Sequence, residues 1–362
     1  MRKLFTPILI GMLAMVVSES LGQAGVTVPR TPSPAASVSQ TIGLSVITVD
    51  YSRPSVKERE IWGAIVPYGW NVQGGYGSQK EAPWRAGANE NTIITLTHDA
   101  HIEGKSVPAG SYGLFFVINE DNSGEVVLSK DYRSWGSYWY DPSHDQLRAP
   151  ITIRDNAMTE LLTYDFVNLN KSSAELVLNW EKKQFPVKIE FAVDEIVMAN
   201  AREELKGMKG FSWQSYSSAA NYALQNNINL DEGLDWINQA ITGNRSFVTL
   251  NTKAGILSAI GKAEEAGKLR EEATKLATEV ELNNYGYQLL NQGKHDEAIK
   301  VLTLNTERYP KSANVWDSLG EAYALKGDEK SAVKNFKKSL SMNPPENVRI
   351  NSEKYLKQFG AL

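Results

Sequence analysis

Between residues 43 and 193 the apolar residues fall in short runs separated by turn formers, whereas from 194 onward they recur every three to four positions. The clearest short runs are 92–97 (TIITLT), 112–118 (YGLFFVI), 124–128 (GEVVL), 174–180 (AELVLNW) and 186–193 (PVKIEFAV). In the last of these Val187, Ile189 and Phe191 alternate with Lys188 and Glu190, the period of two expected when one face of a strand is buried. Glu181, Lys182 and Lys183 read as a hairpin tip between the last two runs. About nine strands fit this stretch, with no long helical pattern among them. The spacing predicts a two-domain β + α chain whose first domain, 43–193, is an antiparallel β-sandwich of jelly-roll or Ig-like type.

A connecting helix is expected over 194–210, and 211–362 carries a helical repeat. Gly293 and Gly327, Ala298 and Ala332, and Pro310 and Pro344 each lie 34 residues apart. Trp316, Leu319, Gly320 and Tyr323 fit the W-x2-L-G-x2-Y line of a tetratricopeptide (TPR) repeat. Asp231, Glu264 and Asp296 begin similar triplets at intervals of 33 and 32, so two weaker repeats precede the clearest ones at 281–348. Small residues let paired helices approach, and prolines end each second helix. Such repeats stack into a superhelix whose groove commonly holds a protein or peptide partner. With 12 Lys and Arg against 10 Asp and Glu over 281–362, the groove's charge stays open, and a solvated mixed face is the default.

The first residues speak to compartment. Arg2 and Lys3 precede a mostly apolar stretch over 4–17, followed by Ser18, Ser20, Gly22 and Ala24. This reads as a signal peptide over 1–24, too short for a comfortable membrane span of roughly 20 residues. Residues 25–42, with three prolines among Ser, Thr and Ala, read as a linker. An exported chain is expected, periplasmic or secreted, with no membrane span after cleavage. It is not a lipoprotein, because the chain has 0 Cys. That count also excludes disulfides, thiolate metal sites and cysteine nucleophiles. A net charge of −4 gives no general attraction to phosphate backbones, so nucleic acid is not an expected partner.

Chemical motifs are sparse. Gly104-Lys105-Ser106 imitates the end of a phosphate loop, but position 99 is Asp where the first glycine belongs. No G-x-S-x-G elbow occurs. His98 and His101 sit three apart, on opposite faces of a straight strand, so neither a metal nor a cofactor is expected. What stands out is a concentration of cations beside aromatics. Arg53, Lys57, Arg59, Arg85, Lys105 and Arg148 are candidates to hold an anion through charge-assisted bonds. Trp84, Asn89 and Glu90 adjoin Arg85, while Tyr138 and Tyr140, followed by the further candidate Asp141, belong to an aromatic cluster with Trp135 and Trp139, suited to sugar rings or a peptide. The competing reading is internal: arginines paired with Glu60, Glu90, Asp141 or Asp145, and aromatics filling the core.

Several of these segments carry a resemblance. Residues 51–57 (YSRPSVK), 66–69 (VPYG), 84–90 (WRAGANE), 108–112 (PAGSY) and 135–138 (WGSY) resemble the bacterial family known as domain of unknown function 2911. The resemblance implies an exported protein often followed by TPR repeats, and brings no established activity. Residues 70–83 intervene here where some members join the flanking motifs directly. Two function classes remain. One is a non-catalytic periplasmic binding or scaffold protein, whose β-domain takes a glycan, peptide or anion and whose repeats dock a partner. The other is an envelope-polymer hydrolase using Glu90, Asp141 or Asp145, which requires two carboxylates at a suitable spacing. The first is the favoured reading.

Overall fold

The computed structural model describes residues 32–72 and 77–362; the expected signal peptide at 1–24 lies outside them. The chain divides into two compact units, Met1–Phe191 and Ala192–Leu362.

The first unit is built from antiparallel strands. A six-stranded sheet has the order β1 (Ala35–Ile42), β2 (Ser45–Ser52), β5 (Ile93–Leu96), β8 (Gly110–Ile118), β9 (Ser123–Ser129), β10 (Asp145–Thr152). A four-stranded sheet has the order β11 (Arg154–Val167), β12 (Ser173–Glu190), β6 (Ala100–Ile102), β7 (Lys105–Val107). The short pair β3 (Asn71–Val72) and β4 (Glu81–Ala82) stands apart. Side chains of the two larger sheets meet in one core: Phe116 of β8 lies 5.1 Å from Phe185 of β12, and Tyr51 of β2 lies 4.8 Å from Tyr164 of β11. Trp84 stacks on Trp180 at 5.7 Å, with Trp62 edge-on to both. Geometry of this kind adds to the area the rings bury.

Two expectations are corrected here. Residues 35–42 are not linker but the strand β1, in register with β2 from Ala35↔Ser52 to Ile42↔Ser45. Small Ser and Ala residues suit an edge strand whose burial alternates. Nor do residues 181–183 turn the chain. β12 runs on through them, and Glu181 takes a left-handed conformation, φ +51°, where the pairing with β11 shifts register. An irregularity there bends a long ribbon instead of ending it. Its carboxylate accepts from the Trp62 indole at 3.2 Å.

The described residues of 70–83 are accounted for as well. Trp70 and Ala82 pack with Tyr140 and with Phe115 of β8 and Val127 of β9, two side chains that alternate with the inward-facing ones of those strands. That cover explains why β8 is buried along both faces, and why its sequence is a continuous apolar run.

The second unit contains α1 (Val193–Lys206) and then four helical hairpins: α2 (Trp213–Asn226) with α3 (Leu230–Gly243), α4 (Phe247–Ala259) with α5 (Ala263–Leu276), α6 (Glu279–Asn291) with α7 (His295–Arg308), and α8 (Ala313–Lys326) with α9 (Glu329–Leu340). A final helix, α10 (Glu346–Gln358), follows. The triplets beginning at Asp231, Glu264 and Asp296 open α3, α5 and α7. A Cβ on Gly320 would lie 2.9 Å from the Phe336 ring, so the missing side chain is what lets α8 and α9 close.

Candidate functional site

The first helices of the first three hairpins line a groove. α2 supplies Asn221, Leu224 and Gln225; α4 supplies Val248, Asn251, Thr252 and Gly255; α6 supplies Tyr285, Gln288 and Leu289, with Gln292 just past its end. Each set follows the i, i+3, i+4, i+7 spacing of one helix face. Arg270 of α5, together with Lys294 and Glu297 at the start of α7, completes a cavity of about 690 Å³. Its apolar part includes Phe247, whose ring meets Tyr285 edge-on at 5.7 Å. Five carboxamides project into one space: Asn221, Gln225, Asn251, Gln288 and Gln292. Among the described residues none of these five is engaged by another side chain. A carboxamide carries donor and acceptor together, the complement of a peptide group, so the groove suits extended backbone more than any one side-chain chemistry.

The same face is closed further along the stack. Asp317 occupies on α8 the place that Asn251 holds on α4. It accepts from Ser352 Oγ at 2.5 Å and from Asn351 Nδ2 at 2.9 Å, both on α10. Glu321, one turn on, accepts from Tyr287 at 2.9 Å and from Tyr355 at 3.4 Å. The chain's own last helix thus fills the α8 end and leaves α2, α4 and α6 open.

Burial raises the Asp317 carboxyl above its ordinary value, and Glu321 adds to this, against the lowering by Ser352 and Asn351. A carboxyl raised in the folded state favours folding when protonated. Its contribution is full below the unfolded value of about 3.9 and is lost as pH rises through the folded value. We therefore expect the thermal midpoint of the native chain to fall relative to that of Asp317→Asn between about pH 4 and neutrality. Parallel midpoint curves for the two proteins would refute this.

The residues singled out in the β-domain sequence separate into local clusters. Arg53 donates to Leu162 O at 2.9 Å and to Thr163 Oγ1 at 2.6 Å. Arg59 donates to Val56 O and Ser55 O, and the Lys57 backbone N–H reaches Glu160. Arg85 donates to Asn89 O at 2.6 Å and lies over the Tyr138 ring, while Asn89 reaches Ser33 O at 3.4 Å. Trp84 belongs to the core stack. Tyr140, buried, donates to Asp145 at 2.6 Å, and Arg148 bridges both while covering the Trp70 ring at 4.4 Å. Lys105 donates to Arg148 O. Asp141 caps a short turn, and hydrogen bonds from Ser143 hold its carboxyl below the ordinary value. Glu90 lines a shallow groove with Asp50 and Asn91. The arginines therefore act as internal locks rather than converging on one anion cradle.

Residues 33–189 match the family model described as "Protein of unknown function (DUF2911)", and residues 313–346 match a tetratricopeptide repeat model. The β-domain is a DUF2911 domain. TPR repeats follow it. The chain is similar to Superkiller complex protein 3 of Mus musculus, 39% identical over 65 residues, which is 18% of this chain and 4% of that protein. It is also similar to Tetratricopeptide repeat protein 37 of Xenopus laevis, 32% identical over 74 residues, 20% of this chain and 5% of that protein. Among solved structures, MamA is 18% identical, with 40% of this chain and 80% of that chain covered and a TM-score of 0.28. YrrB, described as a TPR protein with an unusual peptide-binding site, is 20% identical, with 44% and 84% covered and a TM-score of 0.28.

The sequence did not single out the groove carboxamides. Of the five, only Asn251 falls in a repeat-spaced series, with Asn283 and Asp317 at intervals of 32 and 34 residues, and neither of those two lines the groove. The chain is thus a DUF2911 domain joined to TPR repeats, the organisation of a protein-interaction scaffold.

Proposed function

We propose that this chain is an exported, non-catalytic scaffold whose helical groove holds an extended peptide segment of a protein partner, while its DUF2911 domain binds an envelope ligand. The observation that carries the groove reading is the set of five unengaged carboxamides from α2, α4 and α6 in one cavity. Export rests on Arg2 and Lys3 followed by the apolar stretch 4–17. For the DUF2911 domain, the internal bonds of Arg53, Arg59, Arg85 and Arg148 weigh against an anion.

The groove is tested by selecting binders to the full chain from a displayed library of unstructured peptides and measuring the tightest by fluorescence anisotropy. Each carboxamide lost removes hydrogen bonds of about 0.5–1.5 kcal/mol net. Asn251→Ala and Gln288→Ala should each weaken binding by roughly two- to tenfold, and together by more. Selected peptides whose affinity ignores both changes would place the partner site elsewhere.

A further inference from the structure

Two of the DUF2911 domain's tryptophans are exposed on the connection between β9 and β10, residues 130–144: Trp135 at 47% and Trp139 at 56%. The backbone around them is pinned. Buried Ser137 donates to Pro83 O at 2.6 Å, Tyr138 O accepts from Ser78 N at 2.7 Å, and Asn91 donates to Asp131 O at 2.9 Å. Gly136, with φ +64°, leaves room for the Arg85 guanidinium, whose carbon would lie 2.3 Å from a Cβ at that position. Tyr140 then anchors the far end through Asp145. The indoles are outside because a rigid loop holds them there.

Rigid exposed aromatics are inexpensive to use in binding, since little conformational freedom remains to be lost. An indole offers an electron-rich face, which attracts polarised C–H groups. A pyranose whose hydroxyls are all equatorial presents such a face of axial C–H bonds. The same connection carries polar groups: exposed Arg133, the His144–Asp131 pair at 2.6 Å, and Asp141. These groups suit sugar hydroxyls. They interrupt the continuous apolar area that a protein partner would bury, and the carboxylates oppose an anionic lipid surface.

We propose that Trp135 and Trp139 form a stacking platform for a gluco-configured polysaccharide, a β-linked glucose or N-acetylglucosamine chain. This deepens the ligand role assigned to the DUF2911 domain and does not depend on the helical groove. The test is affinity electrophoresis of the full chain in native gels containing hydroxyethylcellulose or glycol chitin, with a gel lacking polysaccharide as control. Retardation relative to the control gel is expected with at least one of the two polysaccharides. Trp135→Ala and Trp139→Ala should each weaken it about tenfold in dissociation constant, with thermal midpoints unchanged, while Trp139→Tyr keeps part of it. Unaltered migration in both gels overturns the platform and, with it, the glycan form of the ligand role. Retardation that survives in the double alanine variant overturns the platform alone. Sedimentation with phosphatidylcholine–phosphatidylglycerol vesicles that is lost in the same variants would make the loop a membrane contact instead.

Discussion

Replacing Trp180 with alanine is expected to lower the stability of the DUF2911 domain by about 3–5 kcal/mol, the range for truncating a large buried aromatic. Trp180 is 1% exposed, and its ring lies nearly parallel to Trp84, at 14° and 5.7 Å. Trp62 stands edge-on to it at 5.9 Å. Removal leaves a cavity that none of these rings can fill by itself, because each is held by other neighbours. The indole N–H of Trp180 is buried without a hydrogen-bond partner among the described residues, so Trp180→Phe sheds an unsatisfied donor and should cost clearly less than alanine. Urea unfolding followed by near-ultraviolet circular dichroism measures both. An alanine variant with an unchanged midpoint would mean that the aromatic stack does not hold the sheets together.

The second large effect is expected from Phe336→Ala. Phe336 is fully buried; it fills the space over Gly320 and stacks on Tyr355 of α10 at 5.0 Å and 10°. Leu356 and Ala332 share the same cluster. A loss of about 3–5 kcal/mol is expected locally. Because stacked repeats draw stability from their nearest neighbours, the loss should concentrate in α8, α9 and α10. Hydrogen exchange resolves this: protection should fall across those helices and persist in α4 and α6, so peptide binding in the groove survives. Uniform loss of protection over α2–α10 would show that the repeats unfold as one unit.

Much of the architecture was legible because it is written in local periods. Val187, Ile189 and Phe191 alternate with charges, and Trp316, Leu319, Gly320 and Tyr323 repeat a known packing line, so strand and helical repeat could each be read from a few residues. Where the reading went astray, the deciding contact was distant. Residues 35–42 look like spacer because their small polar residues carry no strong strand signal; their partner is β2. The charged triplet at 181–183 looks like a turn because charges favour solvent, yet its pairing with β11 and its bond to Trp62 keep it inside a bent ribbon.

The candidate sites divide in the same way. Composition marked Arg53, Arg59, Arg85 and Arg148 as either ligand groups or internal locks. Which of these holds depends on carbonyls and rings many positions away, such as Leu162 for Arg53 and Trp70 for Arg148. The groove carboxamides are unremarkable as residue types. They become a site only when three helices bring them into one cavity while α10 closes the next position.

Sequence by itself determined two units of different kind, the repeat length, and the DUF2911 and TPR character, since each rests on patterns a few residues to one repeat long. Only the tertiary structure decided which polar groups are consumed and which are left over. Hydrogen-bond partners are set by proximity across the fold, and proximity between residues far apart in the chain has no local signature.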